Sequence, residues 1–343
     1  MPKRVLKLLI IIFLAIQSNL LTSQNAIFAF ENYNKGVSLF KIYEYDSAIY
    51  YFNEAIRLKP DLNKAYYNLA VTYYTKTDYA NSIVVMNSYL QSIKNNNKAY
   101  YLKARAFHLM NEIDSAFYNY DKAISVGNNL PQASFYKGLI LYERNDYSTA
   151  LNYFNSAISL DNQKGIYFYN RALTYDKLQE YDKAIENYLL ALEFLNDDVE
   201  IINNLGYCYF KNNNSKDAIK YLKEALQLDP NYISAYNNLG LLYLSMDNFN
   251  EAISYFSTAL GIENNNLILM NNIGVAYYKL GYFDKALKEF NNIINRDDTD
   301  KTAYFNRGNV KEFLLNIEGA CDDWQKALLL GIDENIIPLN LCK

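Results

Sequence analysis

Apolar positions along the chain come in pairs of short helical stripes. In "SAYNNLGLLYLS", Tyr236, Leu239, Gly240 and Tyr243 stand at i, i+3, i+4 and i+7, one face of a helix. After "MDNFN", the stretch "EAISYFSTALGI" sets Ala252, Phe256, Ala259 and Leu260 on a second such face. Asn and Asp occupy the break between the two. The wider breaks carry Pro60, Pro131 and Pro230, or clusters such as Asn264–Asn266 and Asp297–Asp298, residue types that stop one helix and start the next.

The stripe pair repeats every 34 residues. In a frame starting at Ala29, the eighth position reads Gly36, Ala70, Ala104, Gly138, Ala172, Gly206, Gly240, Gly274 and Gly308. The twentieth reads Ala48, Ser82, Ala116, Ala150, Ala184, Ala218, Ala252, Ala286 and Ala320. Nine units, starting at residues 29, 63, 97, 131, 165, 199, 233, 267 and 301, run to residue 334 without an insertion or deletion. Glycine inside a helix costs about 1 kcal/mol against alanine. Its recurrence predicts two helices that cross closely, with the alanine at position 20 as the facing contact. The mostly large residues at positions 4, 7, 11 and 24 fill the space around the crossing. Such units bury their apolar faces on their neighbours, which predicts an all-α solenoid.

The unit resembles the tetratricopeptide repeat (TPR), whose pattern of a large residue, Leu-Gly, Tyr, Ala, Ala and Pro is matched in the sixth unit by Leu205, Gly206, Tyr209, Ala218, Ala225 and Pro230. The resemblance implies a right-handed superhelix of helix–turn–helix pairs, making roughly one turn, whose first helices line a concave groove. The array is expected over residues 25–334, after a leader at 1–24 and before a C-terminal cap at 335–343. The second unit departs most, with Ser82, Tyr89 and Lys94 in place of Ala, Ala and Pro; its second helix is expected to be irregular or to contact something bulky.

In the family, positions 2, 5, 6, 9, 12 and 13 face the groove. Asparagine fills position 6 at Asn34, Asn68, Asn170, Asn204, Asn238, Asn272 and Asn306. Tyrosines include Tyr67, Tyr101 and Tyr169 at position 5, and Tyr74 and Tyr142 at position 12. A side-chain amide both donates and accepts. A row of them could pair with the backbone of an extended peptide whatever its sequence, as the asparagine ladder of the O-linked N-acetylglucosamine transferases suggests. Tyrosines would add apolar contact at low entropy cost. The competing reading is internal: asparagine bonding to neighbouring backbone or water, tyrosine packing between first helices. The lysine–asparagine–arginine clamp of TPR co-chaperones is not expected. No unit has Lys at position 5 or Arg at position 6, and only Lys64 and Lys98 match at position 2.

Composition narrows the function. Twelve glycines and five prolines in 343 residues disfavour a turn-rich all-β chain, while 35 tyrosines and one tryptophan suit helical packing. The net charge is −4, and removing Lys3, Arg4 and Lys7 with the leader leaves the rest more acidic still. This argues against nucleic acid and anionic lipid as partners. The start "MPKRVLKLLIIIFLAIQSNLLTSQ" reads as a secretion signal, basic and then apolar from Leu8 to Ile16. The run is short of the about 20 residues of a membrane span, so an uncleaved anchor is the lesser reading and no insertion is expected once the signal is cut. The expected location is extracytoplasmic, periplasmic or secreted.

No enzyme is expected, and no metal or cofactor. His108 is the single histidine, and no phosphate-binding glycine loop occurs. The acidic pairs Asp197–Asp198, Asp297–Asp298 and Asp322–Asp323 read as helix-end or outer-face residues. The last unit resembles the closing repeat of secreted bacterial TPR proteins through its "GACDDWQKALLLG" run, in which Trp324 reads as packing. Cys321 and Cys342 could form a disulfide that staples the apolar tail over the last unit, or remain two buried thiols; Cys208 would be unpaired and buried. The function expected is a non-catalytic scaffold holding an extended peptide or protein segment. The alternative is a structural subunit of a cell-envelope complex that uses its convex face or end units.

Overall fold

The computed structural model describes residues 3–127 and 129–342, and among these every regular element is a helix. The chain falls into two compact units, residues 1–170 and 171–343. The first holds α1 (Lys3–Lys41), α2 (Tyr45–Leu58), α3 (Asn63–Thr75), α4 (Tyr79–Ser92), α5 (Asn97–Leu109), α6 (Ile113–Val126), α7 (Pro131–Glu143) and α8 (Tyr147–Leu160). Helix α9 (Gly165–Lys177) contributes residues to each unit. The second holds α10 (Tyr181–Leu192), α11 (Val199–Lys211), α12 (Ser215–Leu228), α13 (Ile233–Ser245), α14 (Phe249–Ile262), α15 (Leu267–Lys279), α16 (Phe283–Arg296), α17 (Lys301–Phe313) and α18 (Ile317–Leu329). Two 3-10 turns follow, Glu334–Ile336 and Leu339–Cys342.

From α3 onward each first helix begins on the opening residue of the 34-residue period. Local chemistry sets these starts. Asp198 accepts from Ile201 N at 3.1 Å, Asn266 from Leu269 N at 3.1 Å, and Asp300 from Ala303 N at 2.9 Å, each capping the helix that follows. The hairpin turns depend on one left-handed residue. Asn213 (φ 59°), Asp247 (φ 57°) and Gly281 (φ +77°) hold the same place in successive hairpins, and short polar residues and glycine tolerate that backbone.

Position 8 is tight, but alanine 20 is not what crowds it. A methyl added at Gly138 would stand 2.8 Å from Phe154, one at Gly240 2.3 Å from Phe256, and one at Gly308 2.5 Å from Trp324. The side chain at position 24 of the same hairpin, a ring in each of these three and Leu222 opposite Gly206, fills the space a Cβ would need. Where position 8 is alanine, the partner is Met86, Tyr120 or Tyr188 instead. The position-20 alanines are fully buried beside this contact. Trp324, wholly buried, also donates Nε1–H to Asn309 Oδ1 at 3.0 Å.

Two further expectations need correction. Helix α4 is regular, with the same 14 residues as α2 and α6. Ser82 donates to the Ala70 carbonyl at 2.8 Å, and Tyr89 packs on Tyr67 with ring centroids 5.5 Å apart. Asp323 is not solvated: it is buried, accepts from Arg307 Nε at 2.8 Å and Nη2 at 2.6 Å, and lies 2.8 Å from Lys311 Nζ. The reason is the 16-residue step from position 7 of a first helix to position 23 of its partner, which also joins Arg171 Nε to Asn187 Oδ1 at 2.7 Å. Asp322, one residue earlier, is exposed.

Cys321 and Cys342 are bonded, with Cα atoms 5.5 Å apart, and Ile337 of the tail is buried against Trp324 and Cys321. Of the expected leader, Met1 and Pro2 lie outside the described residues, and the remainder continues α1 without a break. Among the described residues no helix is long and apolar enough to cross a membrane.

Candidate functional site

In the second unit the asparagines of the first helices form an amide relay. Asn238 Nδ2 donates to Asn203 Oδ1 at 3.0 Å, Asn272 to Asn237 at 3.0 Å, and Asn306 to Asn271 at 2.8 Å. Each bond spans 35 residues, from position 6 of one hairpin to position 5 of the hairpin before. Asn203 in turn donates to its neighbour Asn204 at 3.1 Å. These bonds run amide to amide, not to the neighbouring backbone or water of the competing reading, and each stitches two first helices together. They do not exhaust the asparagines. An amide has two N–H donors and two acceptor lone pairs, and the relay takes one N–H from each position-6 residue.

Asn203, Asn204, Asn237 and Asn238 line a cleft of about 360 Å³ with Asp176 and Tyr207. Burial pushes the Asp176 carboxyl above its ordinary range. The Cys208 thiol, unpaired and buried, donates to Asp176 Oδ1 at 3.8 Å, and burial followed by the Asp176 charge pushes the thiol far up as well. Asn306 lines a smaller cleft of about 190 Å³ with Tyr278 and Asn309.

In the first unit the corresponding wall is aromatic. Tyr33, Tyr67, Asn68 and Tyr89 line a cleft of about 380 Å³ that Lys64 and Lys98 also border. Asn68 Nδ2 donates to Tyr33 Oη at 3.1 Å, the counterpart of the relay with a phenol in place of the second amide. Tyr101 stands among Tyr120 and Tyr136, with centroids 6.1 and 6.3 Å away, and burial raises its hydroxyl pKa. The Arg105 guanidinium lies over Tyr136, 4.0 Å from the ring centroid. His108 Nδ1 is 3.3 Å from Tyr120 Oη, and burial, then the Arg105 charge, lowers its pKa.

The remaining candidates line none of these clefts, although Arg105 hydrogen-bonds the Tyr74 hydroxyl. Tyr74 and Tyr142 lean on Tyr79 and Tyr147, the first residues of the helices that follow them, at 5.5 and 5.4 Å. Asn170 donates to Ile166 O of its own helix at 2.8 Å, Asn34 is exposed, and Tyr169 is half-buried. Asp176 and Arg105 were not singled out from the sequence. A charge at position 9 or 12 of a first helix was the available signal. Among the described residues no group of three or more His, Cys, Asp or Glu is placed to hold a metal.

A family model for the tetratricopeptide repeat matches residues 199–232 and 233–266, and a second such model matches 268–300. The chain carries tetratricopeptide repeats. A model of the anaphase-promoting complex (cyclosome) subunit 3 matches residues 109–191. Among solved structures, a tetratricopeptide repeat protein from Parabacteroides merdae is 20% identical with a TM-score of 0.61, over 72% of this chain and 97% of that one. A chain of the Cut9–Hcn1 heterotetramer is 16% identical with a TM-score of 0.55, over 91% and 75%. YrrB, described as a TPR protein with an unusual peptide-binding site, is 21% identical with a TM-score of 0.51, over 54% and 95%. At these identities the likeness is one of fold. No curated protein matches the chain in sequence. The repeats are of a kind that serves as a scaffold for protein–protein contact.

Proposed function

We propose that the protein is a non-catalytic scaffold that holds an extended protein segment along its first helices. The amide relay of α11, α13, α15 and α17 carries this reading. It fixes a row of side-chain amides on successive helices, and each keeps donor and acceptor capacity beyond its relay bond. First helices packed side by side stand about 8–10 Å apart, a step that about three residues of extended chain cover. Amides at that spacing suit backbone groups and are indifferent to the guest's side chains.

The scaffold is also proposed to act outside the cytoplasm. The basic-then-apolar start supports export, and the Cys321–Cys342 bond suits an oxidising compartment. The likeness of the last hairpin to closing repeats of secreted bacterial TPR proteins points the same way. N-terminal sequencing of exported protein tests this; protein found wholly inside cells with Met1 in place refutes it.

The test of segment capture is an N-methyl scan. Peptides panned from a random library on the folded chain are resynthesised with single backbone N-methyl groups. Methylation at alternate residues is expected to weaken binding about tenfold, while most side-chain changes leave it within about threefold. Insensitivity to N-methylation, or protection from hydrogen exchange away from α11, α13 and α15, overturns the reading.

A further inference from the structure

The two clefts differ in charge, and the difference specifies a guest for the first. Helices α3 and α5 carry Lys64, Lys98, Lys103 and Arg105 and not one Asp or Glu, in a chain whose net charge is −4. Lys64 and Lys98 hold the same place, position 2, in consecutive hairpins, and both border the cleft of about 380 Å³ formed with Tyr33, Tyr67 and Tyr89. Among the described residues no carboxylate lines that cleft. Both lysines are exposed, and neither belongs to an ion pair among the described residues. Arg105, also without an ion pair there, sits seven residues beyond Lys98 on α5. Seven residues are about two helical turns, so the two cations share one face of the helix about 10 Å apart. Stacking on Tyr136 holds the Arg105 guanidinium in place. Asp61, three residues before Lys64, is paired with Lys59 at 2.8 Å, and Glu143, at the end of α7, acts on His108. The cleft at the second unit has the opposite character, with Asp176 and no cation among its lining residues.

We infer that the α3–α5 cleft takes an acidic stretch of a protein partner, with carboxylate side chains on Lys64 and Lys98 and an apolar or aromatic side chain between Tyr33, Tyr67 and Tyr89. This rests on the segment-binding reading and adds the chemistry of the guest. Carboxylates about three residues apart in an extended chain span the step from α3 to α5 and reach both lysines. The recognition is of side chains inside a segment and does not need a chain end. The contacts are solvent-exposed, so they set selectivity and encounter rate more than total affinity, and salt weakens them.

The experiment uses the full chain and fluorescence anisotropy with two labelled, C-terminally amidated peptides. One alternates Glu and Tyr; the other carries Lys at every Glu. The acidic peptide is expected to bind at least about tenfold more tightly than the basic one at about 50 mM salt, with the gap closing near 500 mM. In Lys64→Glu/Lys98→Glu the order is expected to invert, with the circular-dichroism melt unchanged because both side chains are exposed. Arg105→Gln should weaken the acidic peptide further. Equal binding of the two peptides, or binding of neither while panned segments still bind, overturns the acidic guest and leaves segment capture standing. Binding only of a peptide with a free C-terminal carboxylate overturns it in favour of chain-end capture. Failure of panned segments as well removes the underlying reading.

Discussion

Gly240 offers a direct measure of how closely the hairpins are packed. Alanine there gains about 1 kcal/mol of helix propensity. Its methyl, however, would stand 2.3 Å from Phe256 Cε1, 2.6 Å from Cδ1 and 2.7 Å from Cζ. Carbon atoms in contact prefer about 3.5–4.0 Å. The Phe256 ring must therefore retreat by about 1 Å inside a site where it has no exposed surface. Overpacking of this kind costs about 1–3 kcal/mol, so Gly240→Ala is expected to destabilise by up to about 2 kcal/mol net. Gly261 is the control. It lies near the end of α14, a methyl there meets nothing within 4 Å, and Gly261→Ala should stabilise by about 0.5–1 kcal/mol. The double variant Gly240→Ala/Phe256→Met copies the Ala70 and Met86 pair of the second hairpin, and should recover most of the loss through a favourable coupling of about 1 kcal/mol. Urea unfolding followed by circular dichroism, with hydrogen exchange of α13 and α14 to localise the effect, measures all three. A Gly240→Ala chain as stable as Gly261→Ala would falsify the claim that the Phe256 ring crowds position 8 of this hairpin.

Two further outcomes follow from the polar interior. Asp323→Ala strips the partner from Arg307, whose side chain is mostly buried, and should cost about 3–5 kcal/mol, whereas Arg307→Met/Asp323→Leu should recover most of it; equal loss in both, read by urea unfolding, refutes this. Asp176 has its pKa raised by burial, so folding favours its protonated form. That contribution is fully present below the unfolded-state value near 4 and is lost as pH rises through the higher folded value. Asp176→Asn should therefore be more stable than the parent at pH 7 and level with it near pH 3. A parent that matches or exceeds the variant at pH 7 contradicts the assignment.

The sequence-based expectations succeeded where one residue type recurs at one spacing. The period alone placed the starts of the first helices, because Asn, Asp and Pro at the breaks are local signals that tertiary packing did not override. It also showed that position 8 is crowded. Which neighbour crowds it was not legible, since Ala252 and Phe256 lie one turn apart on the same helix and either could face Gly240. The charge of Asp323 was misread for a related reason. Adjacent Asp322 and Asp323 look alike in a row of letters, yet the first is exposed and the second buried, and only the 16-residue offset to Arg307 tells them apart. The asparagines were legible as a row but not as a relay. The 35-residue offset becomes informative only once positions 5 and 6 are both Asn in consecutive hairpins, as in the stretches beginning at Asn203, Asn237 and Asn271.

The placement of Trp324 has a practical consequence. A linear stack in which each layer touches only its neighbours need not melt all at once, and fraying from an end is the natural first event. The chain's single indole sits in the last hairpin, clamped between Gly308 and the disulfide-held tail. Its emission therefore follows the terminal layer alone, while far-ultraviolet ellipticity follows the whole stack. The gap between the two unfolding curves is a built-in gauge of how far disorder spreads from that end before the rest gives way, with no dye or label attached.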